Sequence, residues 1–111
     1  MKVFKVTQRK QACDCVTDLR ETAYKMDMHS VILFAKDSIS GDIVVRYSFF
    51  SDYSDAEQYM KQVTSEQNAN DYKSLVKGQE APAWVVYFND AIYSNNVEFG
   101  WVDVVVNVIN D

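Results

Sequence analysis

The spacing of apolar residues changes twice within the first third of the chain. Apolar and polar side chains alternate over residues 2–7, a pattern that predicts a short strand with one buried side. From residue 8 onward the spacing becomes helical and predicts an amphipathic helix over 8–27. The uninterrupted apolar run 31–35 is typical of a strand buried on both faces, which places it in the centre of a sheet. The apolar stripe of the helix comprises Ala12, Cys15, Val16, Leu19, Ala23 and Met26.

The middle of the chain contains a turn, a strand and a second helix. Ser-Gly-Asp at 40–42 supplies turn residues, and the alternating run 43–50 predicts the returning strand. Ser-Asp-Ala-Glu at 54–57 matches a capping box, in which the serine and glutamate side chains satisfy backbone N–H groups at a helix start. The sequence therefore predicts a helix over 54–65. The weakly patterned stretch 66–81 is predicted to be the longest loop.

The last third of the chain predicts two more strands. The first runs over 83–93. Two pairs of residues tolerate the left-handed geometry of a tight turn, and we place the turn at Asn95 and Asn96 rather than at Asn89 and Asp90.

The final strand is predicted over 99–109, and its regular valines indicate a core-facing row. The resulting order, β-α-β-β-α-β-β, predicts a single α+β domain over 1–111 with a mostly antiparallel sheet and two helices on one face. The first six elements follow the order of a ferredoxin-like fold, with one strand added at the end. Many unrelated activities share that fold, so it does not identify a site. The valine row consists of Val102, Val104, Val106 and Val108.

Charge is distributed unevenly along the chain, whose formal net charge is −5. Eight Lys/Arg and six Asp/Glu lie between Met1 and Arg46, whereas three Lys and ten Asp/Glu follow from Tyr47 onward. Affinity for nucleic acid comes mainly from Lys/Arg contacts with phosphates, so this balance disfavours direct nucleic-acid binding. Two interpretations stay open: the acidic residues keep the domain soluble, or they form an acidic face for a basic partner.

Residue types that carry catalysis or bind metals are sparse. Cys13 and Cys15, the only cysteines, diverge by about 200° on the predicted helix, so they do not bridge each other and they fit a reducing cytosol. With His29, the only histidine, they are too few for a structural zinc site. The three glycines are too far apart for a phosphate-binding loop. We therefore expect no metal, no cofactor and no enzymatic activity.

No apolar run reaches the roughly 20 residues of a transmembrane helix, and the first eleven residues lack the apolar core of a signal peptide. We therefore expect a cytoplasmic protein with no membrane contact. If a phage encodes the chain, the compartment is the host cytoplasm.

The aromatic content of two Trp, seven Tyr and six Phe is the remaining signal. RNA-recognition domains share the βαββαβ order and stack bases on sheet aromatics, but their basic-Gly-aromatic run is missing from 43–50. If the second sheet face is open, Phe99, Trp101, Asp103 and Arg46 would form a protein-binding patch, because Trp, Tyr and Arg dominate interface hot spots. Alternatively, the tryptophans close the core.

These observations favour a small acidic domain that acts by contact rather than by catalysis. The predicted partner is a protein with a basic surface, covered by a terminal acidic hairpin. In size, charge and composition the chain resembles small phage or mobile-element inhibitors of host defence enzymes, anti-CRISPR proteins among them. Two alternatives stay open: a self-associating accessory subunit, for example a homodimer, and a small-molecule-binding or enzymatic domain. The predicted partner-binding residues are Asp90, Glu98, Phe99, Trp101 and Asp103.

Overall fold

The computed structural model describes residues 2–37, 39–95 and 99–110. This part of the chain contains two helices and six strands, which confirms the α+β class and the predicted order of the first six elements. The predicted strand over 83–93 is in fact a hairpin of two strands, so the chain ends in three strands rather than two. The elements are β1 (Lys2–Gln11), α1 (Ala12–Lys25), β2 (His29–Lys36), β3 (Ile43–Phe50), α2 (Tyr53–Val76), β4 (Trp84–Phe88), β5 (Ala91–Ser94) and β6 (Trp101–Asn110).

All six strands belong to one sheet with the order β1-β6-β3-β2-β4-β5. Neighbouring strands are antiparallel except β3 and β6, which are parallel and meet where Val44 lies opposite Asp103. The mostly antiparallel sheet of the prediction is therefore confirmed. Because β3 and β4 both pair antiparallel with β2, the segment β3-α2-β4 is a β-α-β unit with β2 between its two strands.

The two helices pack on opposite faces of the sheet, so the expectation that both cover one face is wrong. Ile32 and Phe34 of β2 belong to the apolar cluster formed with α1, whereas Val31 and Leu33 belong to the cluster formed with α2. Successive side chains of a strand point to opposite faces, and all four of these are buried. The sequence correctly predicted that this strand is buried on both sides, and such a strand requires a layer on each.

Strand directions explain the placement of the helices. β1 and β2 run one way, β3 and β4 run the other way, and both connections step in the same direction across the sheet. Crossovers are almost always right-handed. Two right-handed crossovers that step the same way between oppositely directed strand pairs put their helices on opposite faces. In a ferredoxin-like sheet the two connections step in opposite directions, which brings both helices to one face.

Helix α2 is much longer than predicted, because it continues through most of the predicted loop 66–81. The apolar stripe ends at Val63, the last buried residue of α2, so the second half carried no periodic signal. That half contains neither Gly nor Pro, and it ends in a C-terminal cap in which Gly78 has φ +70° and donates to the Leu75 carbonyl. At the other end Asp52, rather than Ser54, is the N-cap, and its carboxylate accepts the Ser54 N–H at 2.8 Å.

Two further boundaries differ from the prediction. Strand β1 continues to Gln11, because each of its ten residues has a partner on β6, and α1 therefore begins at Ala12 rather than near residue 8. The chain turns at Asn89 and Asp90, between β4 and β5, where the prediction had the strand continue. Asn89 adopts the left-handed conformation there, with φ 47°. The predicted turn at Asn95 and Asn96 includes Asn96, which lies outside the described residues.

Candidate protein-binding surface

The structure separates the residues predicted to form one binding surface. Asp90 lies in the β4–β5 turn, at the end of the sheet where β2 begins. Asp103 lies opposite Val44 at the beginning of β3, which is the other end of the sheet, and β3 and β2 stand between β6 and β4. Glu98 lies outside the described residues.

The predicted binding residues in or next to β6 have neighbours that the sequence did not indicate. Phe99 is partly buried and packs edge-on against Phe34, with ring centroids 6.2 Å apart, in the cluster beneath α1. Trp101 and Asp103 pair in register with Gln11 and Arg9 of β1. The acidic position in β6 is therefore adjacent to a cationic strand.

Asp90 belongs to a different surface, an open cleft of about 600 Å³ between the end of α1, the start of β2 and the β4–β5 turn. Three of its lining residues are carboxylates, and the others include a cationic, an aromatic and an imidazole side chain. We call it the acidic cleft. Its principal side chains are Arg20, Glu21, Tyr24, Asp27, His29 and Asp90.

The end of α1 sets the position of one cleft wall. Asp27 has φ 55° and donates its N–H to the Tyr24 carbonyl, while Met28 donates to the Ala23 carbonyl, a pattern that closes the helix with a left-handed residue. Ala23 is buried on the sheet side. Tyr24, the next residue, is therefore turned outward and is 85% exposed.

Asn89 fixes the opposite wall. Its main-chain N–H donates to the Ser30 carbonyl, and its side-chain Oδ1 accepts the Ser30 N–H, both at 3.0 Å, so the residue extends the β2–β4 ladder by one step. With Oδ1 used in this way, Nδ2 faces Nδ1 of His29 at 3.1 Å. Since an amide nitrogen only donates, Nδ1 accepts and the ring proton of neutral His29 is on Nε2. The imidazole also contacts the Tyr53 ring edge-on at 5.4 Å.

Arg20 stabilises the β4–β5 turn more than it neutralises the carboxylates of the acidic cleft. Its Nε donates to the Asn89 carbonyl at 2.8 Å, and its guanidinium carbon lies 5.6 Å from the centre of the Tyr87 ring. Its Nη2 is 4.0 Å from a carboxylate oxygen of Asp90, whose side chain is fully exposed. The other nearby cation, Lys25, pairs with Glu21 at 3.4 Å. Such exposed pairs are weak, so the carboxylates stay available to a further cation.

Apolar side chains border the same end of the molecule. Tyr24, Met26 and Tyr53 are each more than half exposed. Two more carboxylates lie on either side of Tyr53 in sequence: Asp52 is the N-cap of α2, and Asp55 is in its first turn. Exposed Tyr and Met beside charged groups are typical of protein interfaces, which combine an apolar centre with a polar rim.

The carboxylates of the acidic cleft suit a positively charged side chain rather than a metal ion. Across residues 2–37, 39–95 and 99–110, no three His, Cys, Asp or Glu side chains converge as metal ligands. Neither cysteine lines the cleft: Cys15 is buried beneath α1, where burial raises its thiol pKa, and Cys13 is exposed near the helix start. The sequence could not indicate the cleft, because its members come from three segments that only the fold brings together.

No protein-family model, curated protein or solved structure matches this chain. In the described part of the chain, neither helix is apolar enough over sufficient length to cross a membrane.

Proposed function

We propose that the protein is a non-catalytic binding domain that presents its acidic cleft to a basic surface of another protein. The observation that carries this proposal is the position of Glu21, Asp27 and Asp90 around one concavity that exposed Tyr24 also lines. Exposed Tyr53 lies next to it, in contact with the lining residue His29. A lysine or arginine side chain of the partner enters the cleft, meets the carboxylates and lies against the aromatic rings.

Several contacts must act together for useful affinity. An exposed ion pair contributes about 0.2–1 kcal/mol, so three carboxylates provide at most roughly 3 kcal/mol. The aromatic rings supply the rest by losing contact with water. Electrostatic attraction mainly raises the association rate, which is therefore expected to fall as salt is added.

Proteins that process nucleic acids carry the basic surfaces that this proposal requires. The finer form of the proposal is that such a protein is the partner, and that binding inhibits it by covering the surface where phosphates would lie. A phage or mobile element that encodes such a domain would inhibit a host defence enzyme in this way. Two free thiols are common in reducing compartments, so we place this interaction in the cytoplasm.

A small-molecule site is the second candidate, because the cleft volume of about 600 Å³ falls within the range of ligand pockets. Such pockets enclose most of their ligand within apolar walls. This cleft is open and its rim is charged, and therefore a side chain presented by another protein fits it better.

Amide chemical shifts test the proposal without a known partner. The ¹⁵N-labelled protein is titrated with a pentapeptide that carries two arginines, and separately with the same peptide carrying uncharged citrulline instead. We expect shifts from the arginine peptide to concentrate at residues 20–30 and 89–90, and the citrulline peptide to cause few. Shifts of equal size around the whole surface, or none, would contradict the proposal.

A further inference from the structure

Strands β1 and β6 form a ribbon that, in the described part of the chain, pairs with the rest of the sheet at one position. The two strands pair with each other over ten residue pairs, from Lys2 opposite Asn110 to Gln11 opposite Trp101. β6 pairs with β3 only where Val44 lies opposite Asp103. Among the described residues no other pair joins β6 to β3, and no strand pairs with the outer edge of β1, which is the terminal strand of the sheet.

The overall dimensions agree with a projecting ribbon. The radius of gyration is 15.1 Å, and the molecule measures 51 × 33 × 21 Å. A compact chain of this length has a radius of gyration of about 13 Å.

The free half of β1 exposes apolar side chains that a closed domain would cover. Val3 is 59% exposed, Phe4 47% and Val6 40%. A two-stranded ribbon on its own is only marginally stable in water, because it has no third strand or helix to pack against. A third strand added to the β1 edge would bond its free backbone groups and shield these side chains.

The charge of β1 indicates which kind of strand fits. Residues 2–11 contain four cations, Lys2, Lys5, Arg9 and Lys10, and no carboxylate. Lys10 pairs with Asp18 at 3.7 Å. Lys2 and Lys5, in the free half, have no carboxylate partner among the described residues.

Other occupants fit this edge less well. A second copy pairing through its own β1 would bring two cationic strands to about 4.8 Å, and like charges on adjacent strands repel. Affinity for nucleic acid comes mainly from several Lys/Arg contacts with phosphates, whereas the described free half of β1 offers two lysines, Lys2 and Lys5.

We propose that the outer edge of β1 binds an extended segment of a partner protein that alternates apolar and acidic residues, and that this segment adds a seventh strand to the sheet. Backbone hydrogen bonds supply the attachment, Phe4 and Val6 contact its apolar side chains on one face of the sheet, and Lys5 on the other face selects its carboxylates. This surface is separate from the acidic cleft, so its test is independent of the cleft.

The experiment uses the full chain and three labelled octapeptides: one alternates valine and glutamate, one alternates valine and lysine, and one is the glutamate peptide with a central proline. Affinities are measured by fluorescence anisotropy, and amide hydrogen exchange reports protection of β1. The protein variant is Lys2→Glu/Lys5→Glu. Its matched control, Lys73→Glu/Lys77→Glu, makes the same change of charge at the end of α2.

We expect the glutamate peptide to bind the wild type and the control equally, and to slow exchange in β1. The Lys2→Glu/Lys5→Glu variant should bind it about tenfold more weakly and should bind the lysine peptide instead. The central proline should abolish binding, since proline lacks the N–H that a ladder needs.

The competing explanation is that the lysines only keep the edge unpaired, as they do on many edge strands. Failure of the glutamate peptide to bind would establish that explanation and overturn the proposal. Tighter binding of a single-stranded oligonucleotide would overturn it in favour of a nucleic-acid surface. A dimer in sedimentation that the Lys2→Glu/Lys5→Glu variant abolishes would overturn it in favour of a second copy.

Discussion

Replacing Asn89 tests whether one side chain holds the wall of the acidic cleft. Its Oδ1 accepts the Ser30 N–H, and its Nδ2 donates to His29. Ser30 is only 2% exposed, so water cannot replace the lost acceptor easily. Asn89→Ala removes both hydrogen bonds and also places alanine at φ 47°, a conformation that favours glycine and asparagine.

The loss of stability expected for Asn89→Ala is the sum of these three effects. A buried N–H left without a partner costs about 1–3 kcal/mol, and the bond to His29 contributes roughly 1 kcal/mol. Alanine in the left-handed region costs about 1–2 kcal/mol. We therefore expect Asn89→Ala to lower the free energy of unfolding by roughly 4 kcal/mol, a large part of the stability of a domain of this size. Asn89→Gly removes the strain but not the lost bonds, and should be about 1 kcal/mol milder than alanine.

Asn89→Asp is the informative control. It keeps an acceptor for the Ser30 N–H, and the His29 ring can move its proton to Nδ1 and donate to the carboxylate. Its cost should be about 1 kcal/mol. Urea unfolding followed by circular dichroism measures all three variants, provided that the dependence on urea concentration stays constant. An Asn89→Ala variant whose free energy of unfolding lies within about 1 kcal/mol of the wild type would refute this role of Asn89, as would an Asn89→Gly variant less stable than Asn89→Ala.

Three further predictions concern other parts of the molecule. A thiol reagent should modify exposed Cys13 quickly and buried Cys15 only on unfolding, and two fast thiols in the native protein would contradict the packing of α1. The backbone N–H groups of Ser40 and Ile39 lower the pKa of Asp37, so its contribution to stability is present above the usual aspartate pKa and is lost as pH falls through the lowered value. Asp37→Asn should remove that part of the acid dependence, and an unchanged acid-unfolding curve would argue against it. Val63 is buried, so Val63→Ala should lower the free energy of unfolding by roughly 2 kcal/mol, as measured by chemical unfolding. Leu75 lies on the exposed end of α2, so Leu75→Ala should lower it by under about 0.5 kcal/mol. Equal effects would contradict the placement of α2.

Local patterns predicted the elements well wherever one face is buried. The helical stripe of α1 and the doubly apolar β2 were recognisable because burial imposes a period on the sequence. The second half of α2, beyond Val63, is not packed by one face and so shows no apolar period. Asp71 in this half accepts a hydrogen bond from the Trp84 indole, and no local sequence pattern connects these two residues. The β4–β5 turn was misplaced because the acceptor role of Asn89 depends on Ser30, which is distant in sequence.

The arrangement of strands could not be predicted from the order of elements. β4 lies beyond β2 rather than beside β1, so both crossovers step the same way and the helices lie on opposite faces. β6 lies between β1 and β3, and β1 is the terminal strand of the sheet. The same arrangement separates Asp90 from Asp103, although both belong to the acidic part of the sequence. Only the fold shows that Asp90 instead joins Glu21 and Asp27.

The affinity of the two-arginine peptide for three proteins tests the central claim most directly. The proteins are the wild type, a cleft variant with Glu21→Gln, Asp27→Asn and Asp90→Asn, and a control with the same change of net charge at dispersed positions. The control substitutions are Asp14→Asn, Asp42→Asn and Glu66→Gln.

We expect the cleft variant to bind the peptide about tenfold more weakly and to lose most of the salt dependence of binding, and the control to bind like the wild type. Equal weakening in both variants would show that net charge alone attracts the peptide, and unchanged affinity in the cleft variant would show that binding occurs elsewhere. Either result would contradict the claim that this protein acts through the acidic cleft.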